Sequence, residues 1–148
     1  MNTINAAADL DQSTDPGRPS RDLRRWWTVI TAVLVAGYFL EAVFAGALLS
    51  GADWGRRAHA LTAALLIAST LAGGLVSLVT LRRFAFGSRL GWILLALGLV
   101  ALVQAAMGAM SAKGANLLWA HVPLGVALVA LAAQAAANAR KLGGENER

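Results

Sequence analysis

The chain of 148 residues has no cysteine. Disulfides, thiolate metal centres and cysteine nucleophiles are therefore excluded. Charge is scarce as well: Asp, Glu, Lys and Arg make up 14% of the residues, against about 25% in an ordinary soluble domain. That excludes a soluble catalytic domain of any size. There are three prolines and two histidines. No serine–histidine–acid arrangement and no phosphate-cradling loop is visible. The 15 glycines follow no triplet repeat, which excludes collagen.

What fills the chain is apolar. Hydrophobic residues make up 57% of it, and the mean hydropathy is +0.59. Four apolar stretches stand out, over about 27–49, 58–80, 90–110 and 117–137. Each is close to the ~20 residues that a helix needs to cross about 30 Å of hydrocarbon. A lone strand could not satisfy its backbone groups in lipid, so helices are required. Pro123 falls in the first turns of the fourth span, where its missing N–H does least harm. The sequence thus predicts an all-α, four-transmembrane-helix up-and-down bundle over residues 26–141. Polar tails flank it at 1–25 and 142–148, and residues 1–20 read as disordered. The N-terminal tail is not a secretory signal, because Asp9, Asp11 and Asp15 stand where a basic and then an apolar region would be needed.

The net charge of +5 and the isoelectric point near 11.1 do not point to nucleic acid. The basic residues form short clusters beside apolar spans, with no basic stripe interleaved with aromatics. They orient the chain instead. Arg18, Arg21, Arg24, Arg25, Arg82, Arg83, Arg89, Arg140, Lys141 and Arg148 fall on one side, while Arg56, Arg57 and Lys113 fall on the other. The richer side is the cytoplasmic one. Both termini then lie inside, in a multi-pass protein of the plasma membrane. Trp26, Trp27 and Trp92 are expected at the inner interface, and Trp54 and Trp119 near the outer one, as aromatic anchors.

The end of the first span and the end of the third align without a gap. GALLSGADWGRRAHALTAALLIA starts at Gly46, and GAMSAKGANLLWAHVPLGVALVA starts at Gly108. Gly-Ala opens both and Ala-His recurs, so His59 and His121 each follow their glycine by the same interval. The chain reads as two tandem helical-hairpin repeats in parallel orientation, related by an axis along the membrane normal.

These are the chain's two histidines, each at the outer end of an even-numbered span. Adjacent helix axes lie 8–10 Å apart, so diagonal helices are roughly 13 Å apart. Two imidazoles facing across that gap leave room for a planar macrocycle with a central iron. Haem iron accepts axial His, and bundle interiors hold such cofactors. Gly46, Gly51, Gly108, Gly114 and Gly125 lie near the same level, where a flat ring needs close backbone approach. Arg56 and Arg57 are candidates to pair with haem propionates. Zinc fits less well, because two His without Cys or a nearby carboxylate cluster leave its four-ligand set incomplete. The bland alternative is a pair of interfacial polar residues, with small residues serving helix packing.

Glu41 is the sole carboxylate inside a span, and Gln104 stands at nearly the same repeat position. A carboxylate at membrane depth is a functional candidate by its cost alone. Proton transfer, hydrogen bonding to a cofactor and a quinone contact compete as its role. So does a protonated Glu41 bonded within the bundle.

With its two His, and with SGADW (Ser50 to Trp54) following the first span, the chain resembles one four-helix half of the haem A synthase family. The resemblance covers roughly residues 27–137. It implies haem b as cofactor, with His59 and His121 as the iron ligands and Arg56, Arg57, Glu41 and Gln104 around it. The catalytic half of that family often carries a Cys pair in the first outer loop and a Glu three residues before the first His. Here there is no Cys, and that position is Arg56. The chain is more similar to the half that holds a haem without converting it, and so to a small b-type membrane cytochrome serving electron transfer or haem handling. The implied partners are the lipid membrane, a second copy of the chain or a respiratory or oxidase-assembly complex, and a quinone. The rival readings are a haem-modifying enzyme acting as a dimer and a haem-free structural or transport-associated subunit.

Overall fold

The computed structural model describes residues 19–142. The predicted disordered tail over 1–20 therefore lies almost wholly outside the described residues, as does the tail over 142–148 apart from Leu142. Four helices follow one another: α1 (Arg21–Leu49), α2 (Asp53–Thr80), α3 (Ala85–Ala112) and α4 (Leu118–Lys141). All four are long and apolar enough to cross a membrane. Each packs on its neighbour in the chain, and α1 closes the ring against α4. The diagonals α1–α3 and α2–α4 do not touch through their backbones among the described residues. The result is an up-and-down bundle whose connections are short. Gly51 (φ 80°) and Gly114 (φ 99°) turn the chain after α1 and α3 in the left-handed region that a side chain would strain. Both stand in the turns, where the positive φ alone accounts for glycine.

The helices run past the apolar stretches at most of their ends. α1 begins six residues before Trp27, at Arg21, because Ser20 caps it: Leu23 N–H donates to Ser20 Oγ at 3.3 Å. Asp22 sits in the first turn of α1, and Arg140 and Lys141 in the last turn of α4, signs that suit the helix dipole. Hydropathy marks where lipid begins, not where the backbone stops being helical. Trp27 also departs from expectation. It is buried in the core, whereas Trp26, Trp54, Trp92 and Trp119 are exposed. Adjacent positions on a helix face directions about 100° apart, so one tryptophan of the pair turns inward as the other turns out.

The core lies in one half of the bundle. Its members are Trp27, Leu34 and Tyr38 on α1, Leu66 on α2, Leu90, Leu94, Leu97 and Ala101 on α3, Leu128, Ala132, Ala135 and Ala139 on α4, and Leu81, Phe84 and Leu142 just beyond helix ends. This is the half that holds the start of α1, the end of α4 and the α2–α3 turn. Two glycines let α2 and α3 meet closely. A Cβ at Gly74 would stand 2.9 Å from the Leu95 backbone nitrogen, and one at Gly91 would stand 3.1 Å from that of Leu78. Beyond the level of Tyr38, Leu66, Ala101 and Leu128 no apolar side chain is fully buried among the described residues. The length of α1 from Tyr38 to Leu49 is about 16 Å at the helical rise, so roughly half the span is not closed by apolar packing.

Burial also gives the register of the two hairpins. On α1 and α3 the inward positions pair as Trp27 with Leu90, Thr31 with Leu94, Leu34 with Leu97 and Tyr38 with Ala101. On α2 and α4 they pair as Leu66 with Leu128, Thr70 with Ala132, Gly74 with Ala136 and Ser77 with Ala139. The first set is offset by one residue more than the second. The ungapped alignment is thus right for α2 and α4 and one residue out for α1 and α3. Gly108 corresponds to Ala45, not to Gly46, and Gln104 corresponds to Glu41 directly.

Candidate functional site

His59 and His121 occupy matching places. Each lies seven residues before a buried leucine, Leu66 and Leu128 respectively. That is about 10 Å along the helix, outward from the core. Both rings are half-buried, and each is engaged by the preceding helix of its own hairpin.

The two engagements differ in kind. His121 Nδ1–H donates to the backbone carbonyl of Gln104 at 3.0 Å, and Gln104 Nε2 donates back to the His121 carbonyl at 2.7 Å. A carbonyl can only accept, so the proton is on Nδ1 and Nε2 is the lone-pair nitrogen. Glycine makes this contact possible. A Cβ on Gly108 would lie 2.9 Å from His121 Cε1, and one on Gly125 would lie 3.1 Å from Gln104 Nε2. Ala45, at the matching place on α1, carries the methyl group that Gly108 lacks. There the acceptor is a side chain: His59 Nδ1 lies 2.9 Å from Glu41 Oε1. The distance is that of an ion pair, but no hydrogen bond is formed, and Nδ1 is buried.

The other ring nitrogens are free. Neither Nε2 makes a hydrogen bond among the described residues, and neither is among the buried unpartnered atoms, so both are accessible. Each ring is thus turned toward the preceding helix of its own hairpin.

Further buried polar atoms have no partner among the described residues: Tyr38 Oη at the edge of the closed core, and Glu41 Oε2, Gln104 Oε1 and Ser111 Oγ beyond it. Buried polar atoms in native proteins are nearly always paired. Tyr38 and Ser111 were not among the residues singled out by sequence. The signal for Tyr38 was available: it is the sole tyrosine, three residues before Glu41 and so on the same helix face.

The two arginines separate. Arg56 precedes His59 by three residues and shares its side of α2, whereas Arg57, two residues before, lies on the far side. Arg57 lines a shallow outer groove with Asp53, Trp54, Ala58 and Leu61. Trp54 there meets Phe44 edge to face, at 6.1 Å between centroids, which ties the end of α1 to the start of α2. Of the glycines marked for close approach, Gly108 and Gly125 touch the site; Gly46, Gly51 and Gly114 have nothing near them.

No cluster of three or more His, Cys, Asp or Glu able to hold a metal ion exists among the described residues. Two imidazoles are too few for a bare ion but are a full axial pair for a metal whose other ligands come from a macrocycle. No family model, curated protein or solved structure matches the chain.

Proposed function

We propose that this protein holds one b-type haem between His59 and His121 and serves electron transfer or haem handling near the bundle end that carries the α1–α2 and α3–α4 turns. One observation carries the reading: the two imidazoles stand on diagonal helices at the same height above the closed core, each with Nδ1 beside an acceptor of the preceding helix, Glu41 Oε1 at 2.9 Å or the Gln104 carbonyl at 3.0 Å, and with Nε2 accessible. Metal-bound histidines have this arrangement, with the second nitrogen donating to a carbonyl or carboxylate that fixes the tautomer. The absence, among the described residues, of fully buried apolar side chains beyond Tyr38, Leu66, Ala101 and Leu128 is consistent with a guest at that level.

In this reading His59 and His121 are the iron ligands and Glu41 and Gln104 hold them in place. Arg56 is positioned better than Arg57 to meet a propionate. A haem with both axial places filled supplies one-electron chemistry and leaves no position for oxygen or substrate. The protein's part is to bind it, to orient the two rings and to keep water from the apolar floor at Leu66 and Leu128. The resemblance to one half of the haem A synthase family agrees with this arrangement; the end of the bundle opposite the site carries most of the basic residues and is expected to be cytoplasmic.

The deciding experiment is optical. Detergent-purified protein should show a Soret band and sharp α and β bands on reduction. His59→Ala and His121→Ala should each abolish or shift them. Unchanged spectra in both variants, or a colourless wild type expressed with ample haem, would remove the assignment. Mass analysis of the extracted pigment separates a retained haem b from a hydroxylated or formylated product.

A further inference from the structure

The two hairpins are alike in register and unlike in how each holds its histidine. On α3, Gly108 lets the imidazole of His121 settle onto the helix, where its partner is a neutral backbone carbonyl at 3.0 Å. On α1, Ala45 carries a methyl group, and the acceptor within 2.9 Å of His59 Nδ1 is the Glu41 carboxylate. Glu41 is well shielded, with 16% of its side chain accessible, and its second oxygen has no partner. Nothing among the described residues competes with His59 for that carboxylate.

We propose that Glu41 is a positioning residue that acts through His59 to make the two axial ligands of the proposed haem unequal and to favour the oxidised iron. The inference rests on the haem reading and goes beyond it, because it assigns a redox role to a residue that does not touch the cofactor. A carboxylate is a stronger acceptor than an amide carbonyl. It draws the Nδ1 proton and leaves more electron density on the ring, which makes the ligand more basic. The more basic ligand stabilises the higher charge on iron and so lowers the reduction potential. His121, on its backbone carbonyl, is the ordinary member of the pair.

The test is potentiometry on haem-loaded protein in detergent or nanodiscs. Glu41→Gln keeps size and an acceptor oxygen but removes the charge. It should retain the low-spin bis-histidine bands while the reduced-to-oxidised ratio at fixed poise rises about tenfold, equal to about 59 mV for one electron. Glu41→Asp keeps the charge but draws it back from Nδ1 by one methylene, and should move the potential the same way by less. Thr80→Ala, at the far end of α2 where the hydroxyl bonds only the Val76 carbonyl, should leave the potential where it was. If Glu41→Gln does not fold, Glu41→Asp against Thr80→Ala decides the matter. A potential unchanged or lowered by loss of the carboxylate overturns the proposal, as does a Glu41→Asp chain that keeps the wild-type potential. A wild type with no haem bands defeats the underlying reading instead, and is seen before any potential is measured.

Discussion

The imidazole of His121 lies so close over Gly108 that a Cβ there would stand 2.9 Å from its Cε1. That position on α3 is therefore reserved for a residue without a side chain. Its counterpart on α1, Ala45, is under no such demand.

Gly108→Ala should push the ring off its seat and break the 3.0 Å bond from Nδ1 to the Gln104 carbonyl. The clash should offset the gain that alanine brings to a helix and cost about 1–3 kcal/mol. Ala45→Gly should cost about 1 kcal/mol through helix propensity alone. Thermal denaturation should show both as destabilised, while the Soret-to-protein ratio should fall only in Gly108→Ala. Equal haem content in the two would mean that the close contact has no part in binding.

Gln104→Leu should remove the 2.7 Å bond from Nε2 to the His121 carbonyl, a loss of about 1 kcal/mol. It also removes the buried, unpartnered Oε1, which returns part of that loss. The reduced α band should stay in place, because the group that accepts from His121 Nδ1 belongs to the backbone. A band shift as large as that of His121→Ala would show that the amide holds the ring.

Gly74→Val should separate α2 from α3 in the closed half, since a Cβ there meets the Leu95 backbone nitrogen at 2.9 Å. Overpacking of this kind costs about 1–3 kcal/mol or more. The expected result is a lower unfolding midpoint in detergent with the spectrum of the surviving folded fraction unchanged. A spectral change would link the tight half to the site.

Orientation can be read with little interference, because the chain has no cysteine of its own. Ser88→Cys, between Arg83 and Arg89, should be shielded from a membrane-impermeant maleimide in intact cells. Asn116→Cys, in the opposite turn, should be labelled. The charge bias of the turns sets this expectation. The reverse labelling pattern would place both termini outside.

The bundle was legible in the sequence because four long apolar runs have few structural alternatives in lipid. The pairing of Glu41 and Gln104 with the histidines was half legible, through similar spacing. What the residues alone did not disclose has physical causes. The helical ends at Arg21 and Asp53 lie beyond the apolar runs, where a cap or an acidic first turn sustains the backbone and hydropathy is silent. Trp27 reads like Trp26 until the helical phase is known. The one-residue shift between α1 and α3 was hidden by the repeated Gly-Ala, a dipeptide too common here to fix a register. Inward-facing positions settle it: Trp27 to Tyr38 against Leu90 to Ala101.

A bundle knitted together from Trp27 to Tyr38 and unlaced beyond them has a direction built into its assembly. The knitted end can form as soon as the four spans meet. The proposed haem would then enter through the other end, between the turns at Gly51 and Gly114, so that loading would follow insertion into the bilayer rather than guide it.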